Sequence, residues 1–323
     1  MKTIKYIALG VVALAAFAAA KPDPTPRIEF EALESYPEGI AFDQPSNLYY
    51  VSSARLGNIG TVSPQGDFKI LHADSSLKST YGLKVHADGK RLFACVSDAN
   101  YSKFTNPATR MKMARLISVD IKTGKRLSDV DLSTLIPGKH FANDLAFDGE
   151  GNAYVTDSYA GAVYKVAPDG KASVFSKHEL FRTEGVGING IVYHSAGFLI
   201  VDNSAKGQLY KIDLKDGQKV QKINVDQYFL GADGLILNDK NLLTVVVNGG
   251  TNKIFQLVTT DNWASAKVAA STSTEDRFTY PSTATLNGKQ VWVVNAQFNQ
   301  LLDSNAVPVK KFAIQQVAYK PVK

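Results

Sequence analysis

The chain has 323 residues, of which 45% are hydrophobic, 20% charged and 10% aromatic, with 24 Gly, 12 Pro and a single Cys. That balance excludes a disordered chain, a collagen, a coiled coil and a disulfide scaffold, and the length allows a full core without metals or bridges to hold it. With 36 Lys and Arg against 30 Asp and Glu the formal charge is +6, but the basic residues are scattered, and without a clustered basic stripe no nucleic-acid partner is expected.

Residues 1–20 read as an export signal. Lys2 and Lys5 give a positive start, the apolar run from Tyr6 to Phe17 is too short for a comfortable membrane span, and Ala18, Ala19 and Ala20 supply a small-residue cleavage pattern ahead of Lys21 and Pro22. The expected product, residues 21–323, is a monomer, periplasmic or secreted, with no stable membrane span. No Cys stands near Ala20 to carry a lipid, and Cys95 has no partner for a disulfide. The apolar setting of Cys95, from Leu92 to Val96, predicts a buried strand with a packed thiol.

Beyond residue 20 no sustained helical period is found, and short β-rich runs alternate with Gly, Asn, Asp and Pro. A six-residue pattern recurs: a polar or aromatic residue, usually Gly, an aliphatic, a variable residue, a hydrophobic one, then Asp, His or Asn. Its copies begin at Glu38, Tyr81, Asn143, Asn189, Asp233 and Ser282, spaced by 43, 62, 46, 44 and 49 residues. Each is followed by a second predicted strand, at 48–52, 92–97, 153–157, 198–202, 242–247 and 291–295. Third strands, such as 161–166 and 207–212, precede turns such as Pro168-Asp169-Gly170 and a fourth strand. Four strands in each repeat of roughly 40 to 50 residues predict an all-β, six-bladed propeller forming a single domain over 21–323. The strand-like segment Arg27 to Phe30 precedes the first copy and is expected to pair with the last blade, closing the circle and removing exposed edges.

Equivalent positions on the innermost strands form a ring around the channel, here Glu38, Tyr81, Asn143, Asn189, Asp233 and Ser282. All six carry a side-chain oxygen. Two carboxylates and two amides on one axis suit a hard, oxygen-loving divalent cation, calcium best, and the ring has no His or Cys to favour zinc. Asn-Gly and Asp-Gly are also common turn dipeptides, a reading that covers Asn189 and Asp233 singly but not Glu38.

The pairs Glu38-Gly39, Asn143-Asp144, Asn189-Gly190 and Asp233-Gly234 together resemble the senescence-marker-protein/gluconolactonase family, six-bladed propellers related to paraoxonases and strictosidine-synthase-like proteins. The resemblance spans nearly the whole mature chain through the blade pattern. It implies that Glu38, Asn143, Asn189 and Asp233 hold one catalytic divalent cation, commonly calcium, and that hydrolysis of a lactone or related ester is the parent chemistry. By the same resemblance Asp233 is the base or nucleophile and Glu38 an anchoring ligand. Phe141 stands where sugar-lactonase members carry Arg, which points away from a sugar-acid lactone. No paraoxonase-like His pair is placed: His86 and His194 fall at the far end of inner strands and, with His72 and His178, are expected to be structural. No G-x-S-x-G elbow is present to support a serine esterase.

Loops entering the first strand of a blade and loops joining its second and third strands share the face of the ring. The longest insertions, near 98–115, 135–141 and 175–188, fall there. Long loops in a compact domain are often functional. Tyr81, Tyr101, Phe104, His140, Arg182 and Ser282 are accordingly the expected contacts of a small-molecule substrate, partly apolar and anionic in character. The alternative is a non-catalytic, ligand-binding or scaffold propeller whose ion is structural.

Overall fold

The computed structural model describes residues 25–303 and 305–322; the expected signal at 1–20 lies outside them. Six antiparallel sheets succeed one another along the chain. The first blade is built from Ile40–Asp43, Leu48–Val51, Ile59–Val62 and Phe68–His72, and the remaining blades repeat that meander. The expected closure is present: Arg27–Glu31 pairs antiparallel with Lys311–Gln316, Phe30 opposite Phe312, and completes the last blade. The fifth blade departs from the four-strand expectation. A two-residue strand, Lys320–Pro321, adds to its outer edge against Ala270 and Ser271 and covers an otherwise open strand.

The hydrophobic core lies between adjacent blades, because each strand buries one alternating set of side chains against the sheet before it and the other against the sheet after it. Ala41, Tyr50 and Ile59 of the first blade pack with Leu83, Val96 and Ile117 of the second. Ala146, Tyr154 and Val163 of the third meet Ile191, Leu199 and Val201 of the fourth. Cys95 sits fully buried in this packing, as expected, and burial pushes its thiol pKa up, so it behaves as an inert apolar group. Among the described residues no helix is long and apolar enough to cross a membrane.

Near the axis the innermost strands crowd together, and the recurrent glycine of the repeat answers that crowding. A Cβ on Gly39 would overlap the carbonyl oxygen of Tyr81 in the next blade, and one on Gly190 would overlap the carbonyl oxygen of Asp233. Elsewhere hydroxyls bridge the gap: Thr156 Oγ1 donates to the Asn189 carbonyl at 2.6 Å and Ser282 Oγ to the Glu38 carbonyl at 2.7 Å. Replacing Gly190 by Ala should therefore cost about 1–3 kcal/mol through overpacking, read from urea or thermal unfolding. Gly149→Ala, whose added methyl meets only Tyr193 Oη at 3.9 Å, should stay within about 0.5 kcal/mol of the parent. Equal losses at the two positions would contradict this account of the axial glycines.

Candidate functional site

In every blade but the first, the ladder between the innermost strand and its neighbour slips at the ring position, between residues 80 and 83, 142 and 145, 188 and 191, 232 and 235, and 281 and 284. A slip of this kind breaks strict alternation and re-aims a side chain. Asn189-Gly190 and Asp233-Gly234 thus lie inside the strands Ile188–His194 and Ala232–Leu237, which removes the turn reading of these dipeptides.

Glu38, Asn143, Asn189 and Asp233, all buried, line one small cavity on the axis. Asn143 Nδ2 donates to Ser158 Oγ at 3.0 Å, and Asn189 Nδ2 donates to Asp233 Oδ1 at 3.1 Å. Asn248, which follows the strand Leu243–Val247, donates from Nδ2 to Asp233 Oδ2 at 2.5 Å. The hydroxyl of Thr283 reaches Glu38 Oε1 at 3.4 Å, and Ser52 Oγ accepts from the Gly39 amide at 2.6 Å. With their nitrogens so engaged, Asn143 and Asn189 leave Oδ1 without a donor, and Glu38 leaves Oε2 without one. Buried acceptors without a donor are costly, and three of them beside a further carboxylate form a set of hard oxygens that could hold a cation. Among the described residues no three His, Cys, Asp or Glu side chains gather as a metal cluster; the ring offers two carboxylates and two amide oxygens instead.

The electrostatics agree. Burial, then the charges of Asp233 and Asp144, pushes the Glu38 carboxyl well above the usual carboxylate range. Burial and the Asp144 charge push Asp233 up as well. Asp144 and Asp202 were not among the expected site residues. Asp144 takes the slot that Gly fills in most repeats, receives the Leu145 amide at 2.8 Å and leaves Oδ2 without a donor. Asp202 is fully buried with neither oxygen paired, and burial followed by Asp233 and Asp144 raises its pKa strongly. Its strand position is that of Ser52 and Thr156 in other blades, a register visible once the second strands are aligned.

The expected substrate contacts divide. Tyr101, from the 98–113 insertion, lines the cavity. Tyr81 is fully buried behind it, its ring edge-on to Phe141 at 4.7 Å, and Ser282 is closed off by its bond to the Glu38 carbonyl. His140 is buried rather than facing ligand: Nδ1 lies 2.7 Å from Asp157 Oδ2, whose other oxygen accepts the Phe141 amide at 2.8 Å. Burial of the ring works against its charge, but the Asp157 bond and charge outweigh it and raise the His140 pKa. His140 thereby fixes the loop that presents Phe141. Phe104 sits under Lys103 and Arg182 is exposed in a pair with Glu179; neither lines the cavity. The wall contains instead Phe141, Val186, Ser204, Asn248, Tyr280 and Phe298. The other histidines are structural, as expected: His86 packs on Phe93 and Phe147, His194 stacks on Phe198, His72 bonds the Gly124 carbonyl and His178 caps a short helical turn.

No known protein-family profile matches the chain. Two curated proteins are similar in sequence: core trichothecene cluster protein 14 of Fusarium sporotrichioides, 25% identical over 213 residues, and trichothecene biosynthesis protein 14 of Trichoderma arundinaceum, 25% identical over 211 residues. Each match takes in 60% of this chain and 56% and 58% of the respective relatives, so the chain spans little over half the length of the curated relatives it matches. Among solved structures, the major allergen Mala s 1 of Malassezia sympodialis superposes with a TM-score of 0.71 at 16% identity, over 90% of this chain and 95% of that one. A luciferin-regenerating enzyme gives 0.62 at 13% identity, over 92% and 97% of the two chains. A candidate gluconolactonase gives 0.57 at 16% identity, over 94% and 99%. At such identities the likeness is one of fold, and the fold these structures share with the chain is the six-bladed propeller.

Proposed function

We propose that this protein is an exported, divalent-cation-dependent hydrolase of a lactone or related ester, with calcium as the cation and the reaction on the channel axis. The observation that carries the reading is the set of donorless buried oxygens, Glu38 Oε2, Asn143 Oδ1 and Asn189 Oδ1, lining one cavity with Asp233. Their chemistry fits the ion: all are hard oxygens, and the two carboxylates match a divalent charge. Glu38, Asn143, Asn189 and Asp233 would hold it.

When bound, the cation supplies Lewis-acid polarisation of a substrate carbonyl and of water. Asp233 is the proton acceptor. The amides of Asn189 and Asn248 fix both its oxygens while each keeps a lone pair free, one of which can take a proton from the attacking water. Glu38 is an anchor, held by Thr283 and, through the adjoining backbone, by Ser52. Phe141 and Val186 supply apolar walls beside these groups.

Asp233→Ala should lower lactone or aryl-ester turnover by about 10²–10⁴-fold with circular dichroism unchanged. Chelation should abolish turnover and added calcium restore it; activity that survives complete metal removal counts against the mechanism. Calcium-dependent stabilisation without turnover on any lactone or ester would favour the ligand-binding or scaffold alternative.

The raised carboxyls also set a pH dependence. Because Glu38 and Asp233 hold their protons more tightly folded than unfolded, they add stability to the cation-free protein below an unfolded value of about 4, and that stability is lost as pH rises through their folded values. Calcium replaces those protons. The rise in melting temperature on adding calcium to chelator-treated protein should therefore be small near pH 4 and grow towards pH 8, and an increment constant over that range would contradict the assignment.

A further inference from the structure

Three rings at the mouth of the axial cavity come from distant parts of the chain. Tyr101 arrives on the second-blade insertion, Tyr280 immediately precedes the innermost strand Pro281–Asn287 of the sixth blade, and Phe298 begins the short helix Phe298–Leu301. The Phe298 ring lies 5.5 Å from that of Tyr101 and 5.7 Å from that of Tyr280, tilted by 37° and 31°. Phe141 stands in the same lining, backed by Tyr159 at 5.4 Å.

Each of the three rings is delivered through a non-glycine residue in the left-handed backbone region: Asn100 at φ 76°, Tyr280 itself at φ 52° and Gln297 at φ 56°. For a residue as bulky as Tyr280 this conformation is an outlier that costs of order 1–3 kcal/mol, whereas Asn100 adopts it readily. Specific bonds hold them there. The Tyr280 amide donates to Asn252 Oδ1 at 3.1 Å, its carbonyl accepts the Ala296 amide at 3.0 Å, and Gln297 Nε2 donates to the Lys311 carbonyl at 2.8 Å.

Outside the four ring residues the lining is mostly aromatic, from Tyr101, Phe141, Tyr280 and Phe298. Among the described residues that line the cavity there is no Lys, Arg or His, and the Asn248 amide is committed to Asp233. A polyhydroxylated ligand would give up hydration against the aromatic rings, and an anionic group held against those rings, away from the cation, would have no guanidinium or ammonium beside it.

We infer that Tyr101, Tyr280 and Phe298 form a specificity clamp that selects lactones or esters carrying a flat, apolar, uncharged group next to the reacting carbonyl and rejects sugar-acid and anionic substrates. The flat group lies against Phe298 and the two tyrosines, with its carbonyl directed down to the ring of oxygens. This specificity rests on the hydrolase reading of the same site.

The test separates the two. Isothermal titration of the full chain in calcium uses two lactams that cannot be hydrolysed as esters: 3,4-dihydro-2-quinolinone, the counterpart of dihydrocoumarin, and gluconolactam. The bicyclic lactam should bind, gluconolactam should show no binding, and Phe298→Ala or Tyr280→Ala should weaken the bicyclic ligand about tenfold. Phe298→Leu, which keeps apolar volume without the ring, should weaken it in the same direction and guards against a folding defect in the alanine variant. Failure of the bicyclic lactam to bind, equal or tighter binding of gluconolactam, or folded ring-deleted variants with unchanged affinity would overturn the clamp. Binding of the bicyclic lactam with no hydrolysis of dihydrocoumarin upholds the clamp and removes the hydrolase reading. Faster hydrolysis of gluconolactone than of dihydrocoumarin overturns the clamp and keeps the hydrolase.

Discussion

Everything at the axis depends on how closely six innermost strands can approach one another. Backbone carbonyls of one blade press on the next at the level of the ring, so the position after each ring residue is Gly where a neighbour's carbonyl intrudes, as at Gly39 and Gly190. Hydroxyls of Thr156 and Ser282 tie the same kind of carbonyl where a donor fits. Four of the six residues preceding these positions, Glu38, Asn143, Asn189 and Asp233, extend inward to line the cavity, while Tyr81 packs behind it and Ser282 turns to the Glu38 carbonyl. These oxygens meet on the axis because the backbones do; a local slip in the ladder changes the aim at Asn143, Asn189 and Asp233, whereas Glu38 stands just ahead of its strand.

Meeting there creates an electrostatic debt. Glu38, Asp144, Asp202 and Asp233 are buried within reach of one another's fields, and burial raises the pKa of each. Protons, a cation or both must neutralise part of that charge for the structure to stand. The aromatic mouth deepens the effect by keeping water, and its screening, away from the carboxyls.

The fold was legible because its determinants are local and repeated. Each blade states its strands in the period of two and its starting point in a six-residue motif, and even the closure through Arg27–Glu31 could be read from one strand-like run ahead of the first copy. The four ring oxygens were legible for the same reason. What escaped depends on the third dimension. Asp202 lies on a second strand and Asn248 just past one, where register against the ring is set by the bulges; Tyr280 and Phe298 reach the mouth through backbone conformations no residue preference announces. Among the loop residues, His140 and Arg182 have the chemistry of a binding site, yet one is consumed in holding Asp157 and the other points into solvent with Glu179. Residue type at a loop says what a side chain could do, and packing decides whether it is free to do it.

The bond from Ser282 Oγ to the Glu38 carbonyl, and the contact of Thr283 with the Glu38 carboxyl, join residues 244 and 245 positions apart across the seam of the circle. Glu38 emerges early in synthesis and its partners emerge late, so the first blade cannot set this carboxylate until the sixth has docked beside it. A chain stopped short of residue 282 could form several correct blades and still lack one wall of its own centre. The order of the sequence thus makes the axial site the last feature to be assembled, and its integrity a report that the circle has closed.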